Sequence, residues 1–280
     1  MKTQQELNVK TVRRKLVFAL IVCIIVTDSL IVFTPQEKRL VVGDIVVPTS
    51  IIIATALSLI VVYRQKMDGL IGKAYASLAL GLTLWCIAEI LWSITELVFG
   101  QKRPFPSISD GLWLVAYGPL IYYAFRMYNA FHKSSSSKFS IVLISICVAA
   151  YLLYTIPLTA STFELSKQED VYLFLISISY SILDMVFIFP ASLIILNAPK
   201  RGIGGDLTSI PWIFLAMVVI AVADIVFGFT SVADLDRLEW TSTPIYSAGY
   251  LLMAVGLFWH NRFFIFDEKK VNEKWQKENR

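Results

Sequence analysis

Read from the N-terminus, the chain alternates long apolar runs with short polar breaks. Eight runs approach the ~20 residues that a helix needs to cross a hydrocarbon core. They run approximately from Lys15 to Phe33, Ile45 to Tyr63, Ala74 to Phe99, Ser109 to Asn129, Phe139 to Thr159, Val171 to Asn197, Leu207 to Val232 and Pro244 to Trp259. The pattern predicts an all-α polytopic membrane protein of about eight transmembrane helices. It places a single helical-bundle domain over 1–262 and a charged cytoplasmic tail over 263–280. The connections are short, so the function is expected within the membrane or through a partner.

Composition agrees, since 56% hydrophobic against 16% charged residues is outside the balance of a soluble domain. Charge then orients the spans. Of the 25 basic residues, 19 fall on the side holding both termini, among them Arg13, Arg14, Lys15, Arg64, Lys66, Lys73, Arg126, Lys200 and Arg201. Lys38, Arg39, Lys102, Arg103, Lys167 and Arg237 fall on the other. The positive-inside rule therefore predicts a multi-pass protein of the cell membrane with N- and C-termini cytoplasmic. The same bias accounts for the net charge of +4 by anionic membrane lipid, without a nucleic-acid partner.

Several features carry no chemistry. Cys23, Cys86 and Cys147 lie in apolar runs with no metal-ligand or disulfide spacing and read as small buried hydrophobes. The Ser134 to Ser137 run reads as a solvated loop, and Gly202, Gly204 and Gly205 as a turn, since no strand precedes them. The first run lacks a cleavage site and is kept as a span. No lysine lies inside a span to hold retinal, and His132 and His260 map to the cytoplasmic edge as interfacial residues, so no cofactor and no metal are expected.

The informative residues are acids inside spans, because an ionisable group in hydrocarbon needs a bundle interior, a partner or water. Trp85, Glu89, Trp92 and Glu96 share one face of the third span. Asp110, Trp113 and Tyr117 share a face of the fourth; Tyr180, Asp184 and Phe187 lie in the sixth, Asp224 and Phe227 in the seventh. Asp28 in the first span and Asp44 before the second are weaker members. Threaded through the topology, the acids gather in the outer half of the bundle with no basic residue at that depth, so some are expected to hold or share protons. Tyr117, Tyr180, Tyr246, Tyr250, Trp92 and Trp113 are available donors. Each acid alone reads equally well as an anchor for helix packing. Together they predict a ligand-binding pocket of Glu89, Trp92, Glu96, Asp110, Trp113, Tyr117, Asp184, Asp224 and Tyr250.

The chain also repeats itself. Leu84 to Trp92 resembles Val219 to Phe227, with an acid after alanine and before isoleucine, Glu89 and Asp224, at an offset of 135. Tyr117 then matches Tyr250 at an offset of 133, which relates spans three and four to spans seven and eight in parallel. Parallel repeats often form a site at their interface.

The stretch Trp85, Ala88-Glu89, Trp92, Pro104-Phe105-Pro106-Ser107-Ile108-Ser109-Asp110, Trp113-Leu114 and Tyr117-Gly118-Pro119-Leu120 resembles a membrane sensor region found ahead of histidine kinase, PAS and diguanylate cyclase modules, with Ser109 where alanine is usual. This resemblance implies a stand-alone sensor-like bundle with a small-molecule or lipid ligand and a cytoplasmic or membrane signalling partner. More faintly, Gly81-Leu82 with Ala88-Glu89-Ile90-Leu91 and Ala223-Asp224-Ile225 resemble the lysoplasmalogenase-like YhhN family. That resemblance implies an intramembrane lipid hydrolase using Glu89 and Asp224 as its catalytic acids. A third reading, a proton- or ion-coupled transporter, rests on the acids and the repeat and would require helices broken near Pro48, Pro119 or Pro190.

Overall fold

The computed structural model describes residues 4–67, 69–100, 105–131, 138–197, 209–232 and 239–265. Among these there are eight α-helices and no strand: α1 (Gln4–Phe33), α2 (Gln36–Gln65), α3 (Gly69–Leu97), α4 (Ile108–Phe131), α5 (Lys138–Ala160), α6 (Gln168–Asn197), α7 (Ser209–Val232) and α8 (Ser242–Trp259). Six of them, α1, α2, α3, α5, α6 and α7, are long and apolar enough to cross a membrane. α4 carries Asp110 near its start and Arg126 near its end, and α8 is the shortest of the eight. The chain is an all-helical, multi-pass membrane protein.

Several helices extend past the apolar runs into flanking polar sequence, because a helix satisfies its own backbone whatever surrounds it. α2 begins at Gln36, so Glu37, Lys38, Arg39 and Asp44 are helical, and Asp44 lies inside α2 rather than before it. Arg39 folds back, its guanidinium donating to Val32 O at 3.1 Å and Thr34 O at 3.2 Å, which caps the end of α1. Pro48, Pro119 and Pro190 sit inside continuous helices, so none provides the break that a transporter would need. The hydroxyl of Ser77 donates to the carbonyl of Pro119 at 2.7 Å.

The helices α2, α3, α4, α6, α7 and α8 form a closed ring in that order, each packing on the next and α8 packing back on α2. α1 lies outside against α8 and α2, and α5 outside against α6. This explains Cys23 on α1 and Cys147 on α5, which are exposed rather than buried; only Cys86, on the ring helix α3, is buried. Exposed apolar side chains on the two outer helices, such as Phe18, Ile25, Val142 and Leu153, face outward where lipid would lie.

Close crossings of small residues set the ring's spacing, as expected where no hydrophobic drive separates helix from lipid. On α3, a Cβ at Gly81 would stand 2.6 Å from the Leu120 side chain and 3.3 Å from Ala116 O of α4. On α8, a Cβ at Gly249 would stand 2.6 Å from the Ile220 side chain and 3.5 Å from Ala216 O of α7.

Beyond α8 a π-helical turn, His260–Ile265, packs against α8 and α2. At the end of α8, His260 is buried inside the protein: it is 2% exposed. Its ring stacks on Tyr75 at 4.2 Å, with Nδ1 3.1 Å from the Tyr75 hydroxyl and Nε2 3.1 Å from Gln65 Oε1. With Gln65 Oε1 as acceptor and the Tyr75 hydroxyl as donor, the imidazole is neutral and protonated on Nε2. His132, Ser134 to Ser137, Gly202, Gly204 and Gly205, and the tail beyond Ile265 lie outside the described residues.

Candidate functional site

The buried face of α3 repeats every three to four residues, through Tyr75, Leu78, Leu82, Trp85, Glu89, Ser93 and Glu96. The same periodicity that packs α3 into the ring therefore carries Glu89 inward. Glu89 accepts from the Tyr250 hydroxyl of α8 at 2.9 Å, with the Trp113 indole of α4 beside it. Asp224 on α7 accepts from the Tyr246 hydroxyl of α8 at 2.5 Å and lies 3.4 Å from the Tyr117 hydroxyl of α4. Each acid thus has a donor from α8 and an aromatic polar group of α4 facing it.

Asp184, 2% exposed on α6, joins this network. The Tyr117 hydroxyl donates to its Oδ1 at 2.5 Å, and its carboxyl is within hydrogen-bonding reach of Asp224. Trp85 stands between the two central tyrosines, its ring 5.7 Å from Tyr117 and 6.4 Å from Tyr250. The partners of Glu89, Asp184 and Asp224 among the described residues are phenols, an indole and one another; no lysine or arginine is among them.

The other expected site residues do not share this centre. Asp110 belongs to a capping box: its carboxylate accepts from Ser107 N and Oγ, both at 2.7 Å, and its own amide lies 3.3 Å from Ser107 Oγ. Its second oxygen accepts from Tyr180 of α6 at 3.0 Å, which ties the start of α4 to α6. Glu96, two helical turns along α3 from Glu89, lies beside Asp44 of α2, the two carboxyls within hydrogen-bonding reach. Trp92 stacks at a tilt on Trp113, ring centres 5.4 Å apart, and so backs the indole that serves Glu89. Asp28 has a buried oxygen with no hydrogen-bond partner among the described residues and stands apart on α1. The acids are placed as a central network of Glu89, Asp184 and Asp224, an Asp44–Glu96 pair and a capping carboxylate.

Sequence reasoning named Tyr246 as a donor without placing it in the site, and missed the Asp44–Glu96 contact. The signal for Tyr246 was present: it precedes Tyr250 by one turn, as Trp113 precedes Tyr117.

Fold and site define a class, a multi-pass helical membrane protein with a tyrosine–carboxyl network across its ring. Beyond that class, comparison of the chain with models of known families, with curated proteins and with solved structures finds no match.

Proposed function

We propose that the chain is an eight-span protein of the cell membrane, both termini cytoplasmic, built of two parallel halves whose interface forms a sensor-like ligand-binding site in the outer half of the bundle. The site comprises Glu89, Asp184 and Asp224 with Tyr117, Tyr246, Tyr250 and Trp113. One observation carries this reading: the surroundings of the two central acids are reciprocal. Glu89 accepts from Tyr250 of α8 and faces Trp113 of α4, and Asp224, its counterpart at an offset of 135, accepts from Tyr246 of α8 and faces Tyr117 of α4. Trp113 and Tyr246 correspond at the offset of 133 that relates Tyr117 to Tyr250, so each acid faces one aromatic polar group from its own half and one from the other.

The ring supports the same division. Matching α2, α3 and α4 to α6, α7 and α8 maps each helix contact of the ring onto another contact of the ring. The close crossing of Gly81 on Ala116 maps onto Ala216 on Gly249, with the glycine moved to the opposite helix. Three carboxyls without a basic counter-ion favour a ligand that brings positive charge or hydrogen-bond donors. Such a ligand competes with tyrosine hydroxyls that bridge the halves, so occupancy changes how the halves are joined. That coupling is what a sensor needs.

The test is mass spectrometry of small molecules and lipids retained by the gently purified protein, beside a Glu89→Gln, Asp224→Asn double variant. A stoichiometric species lost from the variant is the expected result. Cleavage of added ether lysolipid by the native chain alone would transfer the site to the hydrolase reading. Identical retention by both proteins would sink the site.

A further inference from the structure

The ring is not equally tight all round. α2 packs extensively on α3 and α8, whereas α6, in the matching place across the ring, makes less contact with α4 and α7. Polar links carry much of that weaker seam. Tyr180 of α6 reaches Asp110 of α4 at 3.0 Å, and Tyr117 of α4 reaches Asp184 of α6 at 2.5 Å while standing 3.4 Å from Asp224 of α7, so both carboxyls meet at one hydroxyl. In the corresponding place, α2 relies on hydroxyls: Ser50 on Ser247 of α8 at 3.3 Å, and Thr55 on Leu82 O of α3 at 3.1 Å. The loosely held α6 is also the helix against which α5 rests.

Two carboxylates are acceptors only, so Asp184 and Asp224 hydrogen-bond to each other only while one of them holds a proton. Tyr117 cannot replace that proton, since its single O–H lies 2.5 Å from Asp184 and 3.4 Å from Asp224 and serves one at a time. The titratable groups facing the pair are Glu89 from α3, Asp110 and Tyr117 from α4, Tyr151 from α5, Tyr180 on α6 itself, and Tyr246 and Tyr250 from α8 behind Asp224. None is a cation that would compensate a second negative charge.

We propose that the Asp184–Asp224 pair is a proton-dependent clasp: its shared proton holds α6 to α7, and loss of that proton opens the α4–α6–α7 seam and moves α5 and α6 away from the ring. In that step one carboxyl O–H breaks, the proton passes to water or hydroxide, and two adjacent carboxylates remain. The inference shares Asp184 and Asp224 with the proposed ligand site but needs no ligand, so either can fail without the other.

The experiment uses the full chain with its native cysteines replaced and a single cysteine at Ala191, fully buried on α6 and two turns from Asp184. A second protein carries its cysteine at Ala54, equally buried on α2. Maleimide labelling is followed between about pH 6 and about pH 9, without ligand, and the Ala191 rate is divided by the Ala54 rate to remove the thiol's own titration. The ratio is expected to rise at least about tenfold with pH, and to stay flat when Asp184→Asn, or independently Asp224→Asn, removes the second negative charge. A flat ratio in the native background overturns the clasp, as does a rise that persists in both asparagine variants.

Discussion

At the scale of single residues the structure separates places where backbone geometry decides from places where chemistry does. Lys66 ends α2 at φ 59° and ψ 176°, a region that costs a side chain about 1–3 kcal/mol and glycine almost nothing. Its side chain is exposed, so Lys66→Gly is expected to raise the thermal midpoint in detergent, the gain being on the order of 1 kcal/mol. The opposite holds close by. A Cβ at Gly72 would stand 2.6 Å from the Lys66 carbonyl and 3.0 Å from the Met67 carbonyl carbon, and backbone cannot swing aside as a side chain can. Gly72→Ala is expected to destabilise by about 1–3 kcal/mol, seen as a lower midpoint in the same assay.

His260 gives the residue scale a pH dependence. Burial beyond the end of α8 pushes its imidazole down to about 3, so the unfolded chain takes up the proton first. Stability from this group is full above about pH 6.5 and is lost as pH falls from there towards 3. His260→Gln, which offers an amide to Tyr75 and Gln65 but does not titrate, is expected to flatten that part of the acid limb in a melt-versus-pH series. The sequence showed a histidine at the edge of a span; it could not show that the chain turns back as a π-helix and buries it.

At the scale of elements, apolar run length and the period of α3 made most of the helices legible, because a span must satisfy its own backbone and face its acids inward. Helix ends were less legible. Hydropathy falls at Glu37, Lys38 and Arg39, yet hydrogen bonding continues through them, so α2 starts well ahead of the apolar run and carries Asp44 inside it. Asp110 stands with Trp113 and Tyr117 as a candidate site acid. The four residues Ser107 to Asp110 also spell a capping box, and the structure forms it. Ser107→Ala is expected to cost about 1 kcal/mol of stability without altering ligand retention. For Glu89 and Tyr250 the element-scale measure is a double-mutant cycle. Glu89→Gln and Tyr250→Phe should couple by about 1 kcal/mol or more, since their bond joins α3 to α8 at 2.9 Å.

At the scale of the whole molecule, the sequence hinted at a duplication through two short motifs but gave no sign of the ring. The pairing of α2 with α8 and of α4 with α6 comes from closure, which no local pattern encodes. The separation of Glu96 from Glu89 is set by the ring as well: two turns apart on α3, Glu96 has Asp44 of α2 beside it, where Glu89 reaches Tyr250 of α8.

The hydrogen bonds at the centre also impose a schedule. During synthesis the order of residues becomes an order in time, and Glu89 on the third helix enters long before Tyr250 on the eighth. Until α8 arrives, Glu89 lacks its Tyr250 donor, and Asp224 likewise awaits Tyr246. The network is therefore completed by α8, made after the other helices of the ring, and a chain stalled before α8 leaves its acids open to whatever quality control inspects unsatisfied polar groups in a membrane.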